Sequence, residues 1–184
     1  MIRQVRDRYS MKRMARVFTG SALVAVLMLG CAPRLMATGD PLYAPKFEGS
    51  SQTEMSNAVM FDGARLPLRL WSAETPHAII VAVHGMNDYS NSSALPGPWF
   101  AERGVTVLAY DQRGFGQAPG RGLWAGDLRM AEDLRSVVDL ARGKYPGLPV
   151  YLLGSSMGGA VVMRSFKLAE PPKVDGIILA APAV

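Results

Sequence analysis

The feature of this sequence that most constrains its fold is a series of short apolar runs separated by stretches of helical and turn pattern. The runs cover residues 78–83, 105–109, 150–153 and 176–180. They are continuous rather than alternating, as expected for strands that helices cover on both faces. The clearest helical pattern between them extends from 127 to about 144, where apolar residues recur at helical spacing. Strands that alternate with helices predict an α/β fold with a mostly parallel sheet and helices on both faces.

Two further runs precede this series and have a different pattern. Residues 58–61 and 66–71 flank the turn signal Asp62-Gly63. The second run alternates between Leu and other side chains, which favours an antiparallel strand near one edge of the sheet. Six strands are therefore predicted, in a single domain over residues 57–184.

A candidate nucleophile follows the run 150–153. Residues 154–158 read Gly-Ser-Ser-Met-Gly and precede an apolar helical stretch at 160–168. This is the strand–turn–helix context of the G-x-S-x-G motif, in which a sharp turn exposes the central serine. The two glycines allow the strand and the helix to approach each other closely. The motif predicts Ser156 as the nucleophile and excludes Ser155, which does not lie midway between the glycines.

A candidate oxyanion hole combines this turn with the loop after the run 78–83, which reads His84-Gly85-Met86-Asn87. In sites built on this motif, one donor is the backbone N–H that follows the nucleophile and the other comes from this earlier loop. These donors are predicted to be the amides of Met157 and Met86. His84 lies before the nucleophile and is expected to shape the loop through hydrogen bonds, and His77 is expected at the surface.

These motifs, together with the stretch Asp-Gln-Arg-Gly-Phe-Gly at 111–116, carry a family resemblance over residues of about 58–184. The chain resembles the lysophospholipase/monoacylglycerol lipase branch of the α/β-hydrolases, also called the serine aminopeptidase S33 type. The resemblance implies an α/β-hydrolase fold, a small-molecule acyl ester substrate of lipid-like character and an acyl-serine intermediate, without a metal or organic cofactor. It also implies that Asp111 and Arg113 fix a loop at the border of the site.

The chain departs from this family after Ser156. In α/β-hydrolases the catalytic acid and histidine follow the nucleophile, but here only Glu170 and Asp175 follow it, and no histidine does. Both acids are predicted to lie away from the site. We therefore expect a chain that is truncated after the sixth strand and inactive alone. Three alternatives stay open: a serine aminopeptidase, an acyltransferase of the same fold, or a non-catalytic lipoprotein relic.

The N-terminal segment has the pattern of an export signal. Residues 1–30 hold six Lys and Arg residues against one acid, and residues 17–29 are apolar or small. A basic region before a short apolar run is typical of a secretory signal peptide. The Gly30-Cys31 end resembles a bacterial lipobox, so residues 1–30 are predicted as a lipoprotein signal peptide. A plain signal peptide or a membrane-anchoring helix is the alternative.

This pattern also predicts a location. A lipid on Cys31 would anchor the protein in the bacterial cell envelope, and Ala32 in the next position favours the outer membrane. Residues 31–56 contain several Pro, Gly, Ser and Thr and are predicted as a tether. The net charge of +5 belongs entirely to the signal segment, so the rest of the chain is neutral. The sequence therefore shows no basic patch of the kind that indicates a nucleic-acid partner.

Overall fold

The computed structural model describes residues 33–37, 39–49 and 55–184. The chain divides into two units, Met1–Arg34 and Leu35–Val184, and the helices and strands of the described residues all belong to the second. The predicted signal peptide and Cys31 lie outside the described residues. Within the described part, no helix has the length and apolar character needed to span a membrane.

The described unit contains seven strands, three α-helices and a short 3₁₀ helix at Ser90–Ser93. The strands are β1 (Lys46–Glu48), β2 (Met55–Val59), β3 (Arg65–Trp71), β4 (Ala78–Val83), β5 (Val105–Tyr110), β6 (Val150–Ser155) and β7 (Gly176–Ala180). The helices are α1 (Pro96–Ala101), α2 (Asp127–Lys144) and α3 (Met157–Ser165).

The strands form one sheet in the order β1-β2-β3-β5-β4-β6-β7. The pairs β1–β2, β2–β3 and β3–β5 are antiparallel, whereas β5, β4, β6 and β7 run parallel to one another. The predicted antiparallel hairpin before the parallel strands is therefore present. All four parallel strands end at the same edge, and β4 and β6 are direct neighbours there, with Val83 opposite Gly154.

Part of the segment predicted as an irregular tether lies on the domain. Strand β1 pairs with β2, and a single bridge joins Leu35 to Trp124. The amides of Leu42 and Tyr43 both donate to the carbonyl oxygen of Phe61, each at 2.7 Å. The tether prediction is corrected for these residues, and the sheet has one strand more than the six expected. A three-residue strand is too short to leave a periodic pattern in the sequence.

The sheet is covered on both faces, because successive side chains of a strand point to opposite sides. On one face Ile79, Val81 and Val83 join a large apolar cluster with the buried side of α2 and with residues of α3. On the other face Ile80 and Ala82 form a smaller cluster, against which Phe100 of α1 packs. Every residue of β4 is buried, which explains the continuous apolar run in the sequence.

Candidate active site

Ser156 occupies a strained turn between β6 and α3. Its backbone angles are φ 49° and ψ −118°, a conformation that costs a non-glycine residue roughly 1–3 kcal/mol. Hydrogen bonds hold the turn in place: the Ser156 N–H donates to the Ala180 carbonyl oxygen, and the Ala183 N–H donates to the Ser156 carbonyl oxygen, both at 3.0 Å. The hydroxyl of Ser156 makes no capping hydrogen bond to α3. The turn thus has the strand–turn–helix geometry that the motif predicts, with α3 beginning earlier than expected, at Met157.

The glycines of the motif lie where the backbone packs too closely for a side chain. A β-carbon on Gly158 would collide with the carbonyl oxygen of Val83 and lie 2.6 Å from that of His84. A β-carbon on Gly154 would lie 2.8 Å from the Gly158 carbonyl oxygen. Real β-carbons essentially never approach other atoms within 3.0 Å. These contacts bring α3 against the end of β4, and so bring Ser156 to the loop that follows β4.

The loop after β4 contains the predicted oxyanion residue Met86. The loop turns at Gly85–Asp88, where the Asp88 N–H donates to the Gly85 carbonyl oxygen at 3.4 Å and Asn87 has a φ of 59°. Gly85 faces the nucleophile, since a β-carbon there would lie 3.3 Å from Ser156 Cβ. Met157 is the first residue of α3, a position whose N–H has no acceptor within the helix. The structure therefore places both predicted donor segments beside Ser156, and their catalytic roles stay a prediction.

His84 is buried beneath this loop, and both of its ring nitrogens are engaged. Nε2 lies 3.0 Å from the backbone nitrogen of Gln112, and Nδ1 lies 2.8 Å from the carbonyl oxygen of Gly85. The amide can only donate and the carbonyl can only accept, so the ring is neutral with its proton on Nδ1. Burial lowers the pKa of His84, against the raising effect of the Gly85 carbonyl and the nearby carboxylates. The prediction that His84 shapes the loop is confirmed.

Asp111 ties the same region together from the end of β5. Its carboxylate is buried and accepts hydrogen bonds from the backbone N–H groups of Ser90 and Gln117, each at 2.8 Å. Ser90 follows the loop after β4, and Gln117 directly follows the 111–116 stretch. The loop-fixing role predicted for Asp111 is confirmed by these contacts.

Arg113 connects three parts of the chain through a buried ion network. Its guanidinium donates to both carboxylate oxygens of Asp62 at 2.6 and 2.7 Å, and to both of Asp133 at 2.6 and 3.0 Å. Burial alone would raise the pKa of Asp62, but the hydrogen bonds and charge of Arg113 outweigh it and hold that pKa below its ordinary value. Burial raises the pKa of Asp133 to about 6, although Arg113 opposes it. Arg113 therefore fixes the loop between the β2–β3 turn and α2, as predicted.

The remaining candidate groups lie away from Ser156. The Asp175 carboxylate accepts from the Val150 N–H at 2.8 Å and pairs with Arg142, at the start of β6 rather than at its end. Glu170 is exposed and pairs with Arg135 at 3.4 Å. His77 is exposed just before β4, at the opposite edge of the sheet from the nucleophile. These placements agree with the sequence expectations.

Gln112 is the residue of this region that the sequence did not single out. It is almost fully buried, its backbone N–H donates to His84 Nε2, and its side-chain amide donates to the His84 carbonyl oxygen at 2.8 Å. The available signal was three consecutive polar residues, 111–113, directly after an apolar strand. Among the described residues, no group of three or more His, Cys, Asp or Glu side chains is arranged to hold a metal ion.

Comparison with known proteins supports the same family. The sequence profile described as "Serine aminopeptidase, S33" matches residues 74–184. A monoacylglycerol lipase of Mycolicibacterium smegmatis is 32% identical over 124 residues, which cover 66% of this chain and 44% of the relative. The human monoglyceride lipase is 32% identical over 133 residues, or 71% of this chain and 44% of the relative. The chain thus spans less than half the length of these curated relatives.

Solved structures show the same fold. A soluble variant of monoglyceride lipase from Saccharomyces cerevisiae superposes with a TM-score of 0.61 at 26% identity, covering 76% of this chain and 48% of that structure. A carboxyl esterase from Bacillus coagulans gives a TM-score of 0.59 at 25% identity, covering 68% of this chain and 43% of that structure. With its motifs, sheet order and relatives in agreement, the chain belongs to the serine aminopeptidase S33 family of the α/β-hydrolases.

Proposed function

We propose that the residues of this chain form the nucleophile half of a serine hydrolase that cleaves carboxylic esters of lipid-like substrates. The observation that carries the proposal is the strained backbone of Ser156, at the β6–α3 turn and against the loop that follows β4. Two of the curated relatives are named as lipases of monoacylglycerol or monoglyceride, which supports an ester with a single acyl chain.

The proposed chemistry is acyl transfer to Ser156. Its Oγ attacks the ester carbonyl carbon while a general base takes the hydroxyl proton, and the carbonyl π electrons move to the oxygen. The amides of Met86 and Met157 stabilise this oxyanion. The intermediate then collapses, the C–O bond to the alcohol breaks, and the alcohol leaves with a proton. Water hydrolyses the acyl-serine by the same two steps.

We place the general base outside residues 1–184, because neither histidine of the chain is suitably placed. His84 Nδ1 donates to a carbonyl and its Nε2 accepts from an amide, and His77 lies at the opposite edge of the sheet. A serine without a base is a weak nucleophile. The 184-residue chain by itself should therefore hydrolyse a short p-nitrophenyl ester no faster than buffer does.

The test compares two adjacent serines. The chain is joined after Val184 to the corresponding remainder of a longer relative, and covalent labelling by a fluorophosphonate and ester turnover are measured. Ser156→Ala should abolish labelling and reduce turnover by up to ~10⁶-fold, as for other serine triads. Ser155→Ala is the matched control and should keep both. Labelling that survives Ser156→Ala but is lost in Ser155→Ala would refute the site. Turnover of aminoacyl amides without turnover of esters would refute the ester substrate and indicate a peptide substrate.

We also propose that the protein is a lipoprotein of the bacterial cell envelope, anchored through Cys31. The support is the basic segment, the apolar run at 17–29 and Gly30-Cys31. Because Cys31 is the only cysteine of the chain, a radiolabelled fatty acid should enter the wild-type protein and not Cys31→Ser. Equal labelling of both proteins would rule the anchor out. Fractionation of the envelope then tests the proposed outer-membrane location.

A further inference from the structure

The orientation of the Met86 amide depends on a carbonyl group on the other side of the same peptide bond. The Gly85 carbonyl and the Met86 N–H belong to one planar trans unit, so they point in opposite directions. The Gly85 oxygen accepts a hydrogen bond from His84 Nδ1–H at 2.8 Å. Fixing this oxygen fixes the direction in which the Met86 N–H points.

Gln112 holds the other side of the His84 ring. The Gln112 backbone N–H occupies the lone pair of Nε2 at 3.0 Å, which keeps the ring proton on Nδ1. The side-chain amide of Gln112 also donates to the backbone oxygen of His84 at 2.8 Å. The ring of Phe115 packs against the imidazole edge to face, with 5.6 Å between centroids. The imidazole is thus held by hydrogen bonds to the Gln112 backbone N–H and to the Gly85 carbonyl oxygen and by one aromatic contact, while the Gln112 side chain holds the backbone of His84.

We propose that His84 and Gln112 are positioning residues that orient the Met86 N–H toward the oxyanion, His84 through the Gly85 carbonyl and Gln112 through the position and tautomer of His84. This inference rests on the proposed function, since it takes the Met86 amide as an oxyanion donor. Neither side chain touches the substrate, and neither accepts the proton of Ser156.

The loop needs such support because its own contacts are weak. The turn at Gly85–Asp88 is closed by one long hydrogen bond of 3.4 Å, and Met86 is 54% exposed. An oxyanion donor acts only when it is already oriented, and a misplacement of about 1 Å at a reacting centre can cost on the order of 10²-fold in rate. The buried imidazole supplies the rigidity that the exposed turn lacks.

Variants of His84 separate orientation from packing. The amide of His84→Asn takes the place of Nδ1 and can donate to the Gly85 oxygen. The amide of His84→Gln takes the place of Nε2 and can only meet Gln112, and His84→Leu makes neither bond. If His84 merely filled space, glutamine and leucine would be the better replacements. If it orients the Met86 amide, asparagine should be the best. The exposed His77 provides the matched control, His77→Leu.

The first measurement is NMR of the 184-residue chain, which needs no activity. The ¹⁵N shifts of wild-type His84 should show the Nδ1–H tautomer, with a scalar coupling across the hydrogen bond from Gln112 N to His84 Nε2. The order parameter of the Met86 amide should stay near ~0.85 in His84→Asn and His77→Leu and fall toward ~0.6 in His84→Gln and His84→Leu. An Nε2–H tautomer, or an unchanged Met86 amide in His84→Leu, would overturn the proposal.

The second measurement is ester turnover in the extended protein of the serine test. His84→Gln and His84→Leu should lower kcat by on the order of 10²-fold with little change in KM, and His84→Asn should restore most of it. Gln112→Met removes only the side-chain donor and should lower kcat by a smaller factor. Equal kcat in all His84 variants would refute the positioning role. If the extended protein with the wild-type His84 shows no ester turnover while the NMR results are as expected, the proposed function is refuted and the loop geometry stands.

Discussion

Alanine at Gly158 should destabilise the fold, whereas alanine at Gly143 should stabilise it. Both glycines lie inside helices, where replacement by alanine gains roughly 0.5–1 kcal/mol from the backbone. At Gly143 the new β-carbon meets nothing within 4 Å, so the gain should appear in full. At Gly158 it would meet the carbonyl oxygens of Val83 and His84. Overpacking costs about 1–3 kcal/mol, and the upper end applies because backbone atoms at the end of β4 cannot rotate away.

The net expectation for Gly158→Ala is therefore a loss of about 2 kcal/mol in the free energy of unfolding. For a chain of this length, that loss corresponds to a fall in Tm of roughly 4–8 °C, and Gly143→Ala should raise Tm by roughly 1–4 °C. Urea unfolding followed by circular dichroism measures both variants against wild type. A Gly158→Ala protein as stable as wild type would show that α3 does not pack as closely on β4 as described.

The other predictions concern the buried polar groups. Arg113→Leu leaves Asp62 and Asp133 buried without their partner and should lower the free energy of unfolding in urea by about 3–5 kcal/mol. The control Arg103→Leu removes an exposed cation and should lower it by at most about 1 kcal/mol. Similar losses in the two variants would contradict the network. His84 should make the protein less stable as the pH is lowered. Its folded-state pKa lies below the ordinary value of 6.5, so the stabilisation is complete above pH 6.5 and is lost as the pH falls from 6.5 toward the folded-state pKa, by at most about 1.4 kcal/mol per pH unit. The free energy of unfolding of His84→Asn should depend less on pH between 7.5 and 5.5, and equal slopes would refute this.

The parallel half of the fold could be read from the sequence because its signals are local. The strand β4 is buried along its whole length and appears as an unbroken apolar run. Helix α2 begins at Asp127 and ends at Lys144, as its pattern predicts. The turn at Ser156 was predictable as well, because G-x-S-x-G between a strand and a helix reflects a local packing requirement.

The polar network could be predicted only in outline. The sequence suggested that Asp111 and Arg113 fix a loop, but not that Arg113 pairs with Asp62 and Asp133, which lie 51 and 20 residues away along the chain. The part played by Gln112 depends on its backbone amide meeting a ring nitrogen 28 residues away. Such pairings arise from the way strands, turns and helices distant in the chain pack together, and a single sequence contains no local record of that packing.

The backbone conformation of Ser156 has an evolutionary consequence. At φ 49° and ψ −118°, glycine would relieve a strain of about 1–3 kcal/mol, which is a considerable share of the stability of an ordinary domain. A lineage in which this chain had only to fold would gain from glycine at this position, and the change needs no rearrangement of the turn. A Ser156→Gly protein should therefore be more stable than wild type, so serine at this position costs the fold that difference.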